Sequence, residues 1–223
     1  MGSVTHSLLK FFRGGTEARD AAQPQPKIRR RSSGLGEFTR TVRMQDGLCV
    51  LDLGSTSPAN ISYLTDLGHK LYTEDLLTAA YDPSLRTKVD GESVLDEGRF
   101  MRENLAYEGA MFDAVLCWDV PDYLPESLVK PVIDRIAGLT KPGGLLLGFF
   151  HTRDSGPDAP HYRYHLASDD MLDLQVAPHG PNAGPVRLQR VFNNRHIENL
   201  FRDYGSIKFF LARDHIREVL VVR

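Results

Sequence analysis

The sequence contains two cysteines, Cys49 and Cys117, in 223 residues. That excludes a disulfide framework and a cysteine-built zinc site. Both lie in apolar runs and read as buried thiols, which suits a reducing cytoplasm. The eight histidines include no zincin motif, so no metal is expected. No apolar run approaches the roughly 20 residues of a membrane span. "SLLKFF" (Ser7 to Phe12) is too short for a secretory core, which argues against membrane insertion. The formal net charge is -2, so no overall field draws nucleic acid.

What remains is a chain that is 41% hydrophobic and 25% charged, enough for one sizeable core. Residues 1–35 read as a flexible N-terminal extension. "GGTEARDAAQPQPKIRRRSSGLG" has almost no large apolar side chain to offset its ordering entropy. Its basic run, Lys27 to Ser33, reads as a solvated linker or as an arm for acidic partners. Residues 36–223 read as one domain, with 152–190 as a lid or insertion.

From residue 48 the pattern alternates. "LCVLDLG" is a short, continuous apolar run, as expected of a strand buried on both faces. Ser57 and Pro58 suit a helix N-cap and first turn, and Gly68 a helix end. "KLYTED" and "MFDAVLCWD" are further strands. "PESLVKPVIDRIAGLT" (125–140) is a helix with Leu128, Val132 and Ile136 on one face and a Pro131 kink or restart inside. "KPGG" (141–144) turns into the strand "LLLGFFH". "NNRHIENLFRDYG" is a helix capped by Asn193 or Asn194. The last two strands, "SIKFFLAR" and "REVLVVR", are joined too tightly for a parallel crossover, so they pair antiparallel. The predicted fold is α/β: a doubly wound, mostly parallel sheet with an antiparallel last strand.

Taken together, these segments resemble the class I S-adenosylmethionine-dependent methyltransferases from about residue 40 onward. "VLDLG" is similar to the family's first motif, and "YTED" falls where its second strand ends in an acid. "FDAVLCWDVPDYL" is similar to the fourth motif, and "GLTKPGGLLLGFF" to the segment ending in strand five. The resemblance implies a Rossmann-like sheet, S-adenosyl-L-methionine as cofactor, and a transferase acting on a small-molecule substrate. It also implies that the Cys49 and Cys117 strands are neighbours.

The glycine loop departs from the family. Only Gly54 stands where three glycines are usual; Thr56 and Pro58 occupy the other positions. A pyrophosphate cradle needs a row of backbone N–H groups, which counts against NAD and FAD. S-adenosylmethionine carries no phosphate, and the hydroxyls of Ser55, Thr56 and Ser57 can stand around its carboxylate. The resemblance puts Asp52 at the cofactor's amino end. It puts Asp75, rather than its neighbour Glu74, on the ribose, since successive strand residues face opposite ways. Asn104 and Leu105 fall at the adenine end, and Trp118 and Asp119 at the reactive end.

Methyl transfer needs a base only where the acceptor must lose a proton. Asp119, Asp122, Tyr123 and His151 are the candidates. Tyr162, Tyr164, His165 and Arg187 are candidate substrate contacts in the lid. "DVPD" lacks the pattern of amino-base methyltransferases. Two rivals stand beside the small-molecule enzyme. One is a non-catalytic protein of the same fold with a decayed loop. The other is an RNA or protein methyltransferase docking through Arg29 to Arg31.

Overall fold

A computed structural model describes residues 26–152, 160–177, 186–211 and 214–223. The main sheet contains β2 (Cys49–Asp52), β3 (Lys70–Thr73), β6 (Phe112–Trp118), β7 (Thr140–His151), β10 (Ser206–Phe210) and β11 (Ile216–Val222), in the order β10-β11-β7-β6-β2-β3. The four strands β3, β2, β6 and β7 are parallel, and β11 runs antiparallel to both β7 and β10. The predicted doubly wound sheet and its reversed end are therefore present, and the Cys49 and Cys117 strands do lie side by side.

The period of two is visible in the two cores. On β6, Val115 and Cys117 face one core, which also holds Leu128, Val132 and Ile136 of α6 (Glu126–Leu139). Ala114, Leu116 and Trp118 face the other, with Leu35 and Phe38 of α1 (Ser33–Val42) and Leu64 of α2 (Pro58–Asp66). Pro131 lies inside α6, which starts before it. "KPGG" is not a separate turn: it is taken into β7, whose Thr140 already pairs with Phe112.

No strand between β3 and β6 joins the main sheet. After α3 (Leu76–Ala80), residues 82–104 instead form a short 3-10 turn, a separate hairpin of β4 (Arg86–Val89) and β5 (Glu92–Leu95), and α4 (Glu97–Glu103). α5 (Val120–Tyr123) follows β6, and α7 (Asn194–Leu200) precedes β10. Asn193 caps α7 by accepting from the His196 N–H.

The insertion supplies β8 (Tyr162–Ser168) and β9 (Met171–Val176), which pair as a hairpin and pack on α2. β9 also pairs antiparallel with β1 (Ile28–Arg31). The solvated-linker reading therefore fails for residues 28–35, which form β1 and the start of α1. The physical reasons are backbone pairing of β1 with β9, burial of Leu35 and charge pairing of the arginines. Arg29 pairs with Asp173, Arg31 with Asp170, and the buried Arg30 with Glu218 and Asp214. The same pairs consume the three cations of the supposed docking arm. Residues 186–192 form no strand. Residues 1–25 lie outside the described residues. No helix among the described residues is long and apolar enough to cross a membrane.

Candidate functional site

In open parallel sheets ligands bind beyond the carboxyl ends of the strands. Here the ends of β2, β3, β6 and β7 carry Asp52, Asp75, Trp118 with Asp119, and His151.

Asp52 is 1% exposed. It accepts from the Gly54 N–H at 3.1 Å, Asn60 Nδ2 at 2.8 Å and Trp118 Nε1 at 2.6 Å. Burial pushes its carboxyl above the usual range, against the pull of those three donors. Asp52, expected at a ligand's amino end, is held in place by these three donors.

Trp118 packs against the loop after β2. A Cβ on Gly54 would stand 2.9 Å from Trp118 Cδ1, so Gly54 is required for the close approach of the indole. Tyr164 of the hairpin stacks on the indole, with centroids 4.9 Å apart and planes 4° apart. Trp118 has φ +51°, a left-handed conformation that costs a bulky residue on the order of 1–3 kcal/mol. Strand parity explains the meeting, because Asp52 and Trp118 lie on adjacent strands with side chains on the same face of the sheet.

The three loop hydroxyls have separate fates. Ser57 is buried; it caps α2 and bonds His165 Nδ1 at 2.7 Å, so it is not free for a ligand carboxylate. Ser55 donates to Asp75 Oδ2 at 2.7 Å. Thr56 is exposed. Pro58 is exposed at the start of α2 and plugs nothing.

Asp75 is half-buried and also caps α3, its Oδ1 accepting from the Thr78 N–H at 2.9 Å. Each carboxylate oxygen has two lone pairs, so one on each remains. Glu74 instead lies beside Tyr107, whose phenol is pushed up first by burial and then by the Glu74 charge. Glu74 and Asp75 both lie beyond the end of β3, so strand alternation does not choose between them, and their side chains have different partners.

The adenine-end candidates are internally engaged. Asn104 closes α4 and donates to the Phe100 carbonyl. Leu105 is 1% exposed with φ +54°, and its carbonyl accepts from Arg135.

Beyond β6 and β7 the candidate bases do assemble. Asp122 is fully buried, and its Oδ2 accepts from the His151 N–H at 2.6 Å and bonds His151 Nδ1 at 2.8 Å. Burial pushes the Asp122 carboxyl up to about 6, despite the His151 bonds. For His151, burial alone lowers the imidazole; the Asp122 bond and the Asp119 and Asp122 charges outweigh it, so the net shift is upward. Asp119 Oδ2 accepts from the Tyr164 hydroxyl at 2.8 Å. Asp119 Oδ1 and Asp122 Oδ1 are buried with no hydrogen-bond partner among the described residues. Tyr123 donates to the Pro160 carbonyl and packs against both His151 and His161.

Of the lid candidates, Tyr164 and His165 turn inward to Asp119 and Ser57, Tyr162 is half-buried and Arg187 is exposed. Two residues of the site escaped the sequence reading. His161 Nε2 lies 3.8 Å from Asp119 Oδ1. Asn60 ties Asp52 to the Tyr164 carbonyl and accepts from the Leu166 N–H. Asn60 left one signal: a short amide in the first turn of a helix, where a long side chain is usual. A cavity of about 830 Å³ opens elsewhere, between α1 and the β10–β11 end, lined by Arg30, Ser32, Glu37, Phe210 and Glu218.

The spare lone pairs of Asp75 suit a ribose diol, and Asp52 already accepts the Trp118 indole N–H.

No protein-family model matches the chain, and no curated protein does. Solved structures do. The PH0226 protein of Pyrococcus horikoshii is 14% identical, with 85% of this chain and 88% of that chain covered and a TM-score of 0.51. An S-adenosylmethionine-dependent methyltransferase of Mesorhizobium loti is 13% identical over 84% and 98% of the two chains, with a TM-score of 0.45. The 1,6-didemethyltoxoflavin-N1-methyltransferase of Burkholderia thailandensis, solved with 1,6-didemethyltoxoflavin and S-adenosylhomocysteine, is 12% identical over 86% and 79%, with a TM-score of 0.46. At such identities likeness is a matter of fold. The strand order, the reversed β11 and the likeness to the Pyrococcus protein give this chain a Rossmann-like, mostly parallel doubly wound fold with an antiparallel last strand.

Proposed function

We propose that the chain is an S-adenosylmethionine-dependent methyltransferase acting on a small-molecule acceptor. The observation that carries this reading is the Asp75 carboxylate, half-open at the carboxyl end of β3 and steadied by Ser55 in the loop after β2. Its two spare lone pairs would accept both ribose hydroxyls, which explains why an acid is needed there. Thr56 offers the loop's exposed hydroxyl to a carboxylate.

When bound, the cofactor supplies a methyl group already activated on sulfur, so the protein contributes alignment and exclusion of water. The β8–β9 hairpin provides the exclusion, covering Trp118 and Asp119. Where an acceptor must lose a proton, His151 is the favoured base. Its Nδ1 is held by Asp122, which fixes the ring and leaves Nε2 to take the proton. A reducing cytoplasm suits the two free thiols.

The test is a mass spectrum of small molecules released from the purified chain. A co-purifying S-adenosyl compound supports the reading, and a ligand without an adenosyl group contradicts it.

A second reading is favoured by one observation. The Trp118–Asp52 bond closes the methionine end, as expected of a non-catalytic binding protein that shares the fold. Such a protein would release no adenosyl compound and would transfer no methyl group.

A further inference from the structure

We propose that Trp118 sets ligand specificity in this cleft: its indole fills the place of an amino-acid arm on the 5′ carbon of adenosine. As it stands, the cleft admits the bare nucleoside, and an adenosylated amino acid enters only when the indole leaves. The inference rests on the cofactor reading above and deepens it.

Four observations converge. The indole lies so close to Gly54 that one added carbon would collide with it. Its N–H occupies Asp52, the acid that would otherwise meet the ammonium group of the arm. Tyr164 covers the outer face of the ring, itself bonded to Asp119. Trp118 has φ +51°, a backbone conformation that bulky side chains rarely adopt.

The exchange is chemically balanced. Asp52 accepts one N–H from the indole, and a ligand ammonium would return an N–H to the same oxygen, with charge assistance. Asn60 and the Gly54 N–H hold the carboxylate in place meanwhile. Departure of the indole therefore does not strand Asp52, provided the incoming arm carries a cationic nitrogen. Adenosine alone offers no such group and leaves the indole where it is.

Trp118 is the chain's single tryptophan, so its own emission reports the event. The full chain is titrated separately with adenosine and with S-adenosylhomocysteine, following tryptophan emission and calorimetric heat. Adenosine is expected to bind with unchanged emission, and S-adenosylhomocysteine to bind with a red shift. Two variants accompany the wild type. Trp118→Phe keeps a ring on Tyr164 but has no N–H for Asp52, and Trp118→Ala removes both. Each is expected to tighten S-adenosylhomocysteine at least tenfold while adenosine stays within twofold.

A merely structural tryptophan would weaken both ligands together in the variants, and that result overturns the proposal. So does binding of both ligands to the wild type with unmoved emission and an unchanged ratio in Trp118→Phe; the cofactor reading would then stand. Absence of heat from either ligand, in wild type and Trp118→Phe alike, overturns both.

Discussion

Arg30 and Glu218 form an ion pair of 2.7 Å in which both side chains are almost wholly enclosed, tying the N-terminal strand to the last strand of the main sheet. The other Glu218 oxygen accepts from the Gly34 N–H at 2.6 Å, at the first turn of α1. One carboxylate thus joins β1, α1 and β11. Arg30→Ala would leave that carboxylate buried without its cation. The expected loss is about 3–5 kcal/mol of unfolding free energy in a urea titration. Arg29→Ala breaks a solvent-exposed pair with Asp173 and should leave the midpoint almost unchanged. Equal effects of the two would show that burial does not distinguish them.

Asn60 makes a comparable junction between α2, β2 and the β8–β9 hairpin. Removing its amide in Asn60→Ala strands the Leu166 N–H and takes a donor from Asp52 and from the Tyr164 carbonyl. The cost should reach at least about 3 kcal/mol, since each unsatisfied buried group costs roughly 1–3 kcal/mol. Hydrogen exchange at the Leu166 amide should accelerate with it. A neutral substitution would mean that the hairpin is held by its apolar contacts alone.

Asp75 and Glu74 are separable. Asp75→Ala should weaken S-adenosylhomocysteine binding at least tenfold, about 1.4 kcal/mol. Glu74→Ala should leave it nearly unchanged, because Glu74 lies against Tyr107. The reverse pattern in a titration would shift the ribose contact by one residue.

The Asp122–His151 pair gives stability a definite pH slope. Both groups have raised values in the folded chain, so the folded state holds more protons than the unfolded one. Stability from this pair is greatest at low pH. It falls as pH rises from the ordinary carboxylate range, about 4, through about 6 for Asp122, and again above the ordinary imidazole value for His151. Asp122→Asn removes the first contribution and weakens the second. The variant should therefore gain on the wild type as pH rises from 4 to 8 in parallel denaturation series. A constant difference across that range would contradict the assignment.

Most of the sheet was legible because period-two alternation and helix punctuation are local signals. Ser57, Pro58 and Gly68 mark α2 as expected, and the short turn before β11 forces its reversal. The hairpin of residues 86–95 was less legible, since its two strands pair only with each other and not with the main sheet. The basic run misled because its partners, Asp170, Asp173 and Glu218, lie more than a hundred residues away. The site shows the same division. Asp75, Asp122 and His151 could be chosen from strand ends. The engagement of Asp52 by Trp118 and Asn60 depends on which faces meet in three dimensions, and no spacing along the chain announces it.

The central claim is that a sulfonium nucleoside occupies the cleft anchored on Asp75. Isothermal titration of the full chain with S-adenosylmethionine and S-adenosylhomocysteine, carried to millimolar ligand, tests it most directly. Saturable heat from both is the expected result, and its absence for both would contradict the claim and leave a methyltransferase fold without its cofactor.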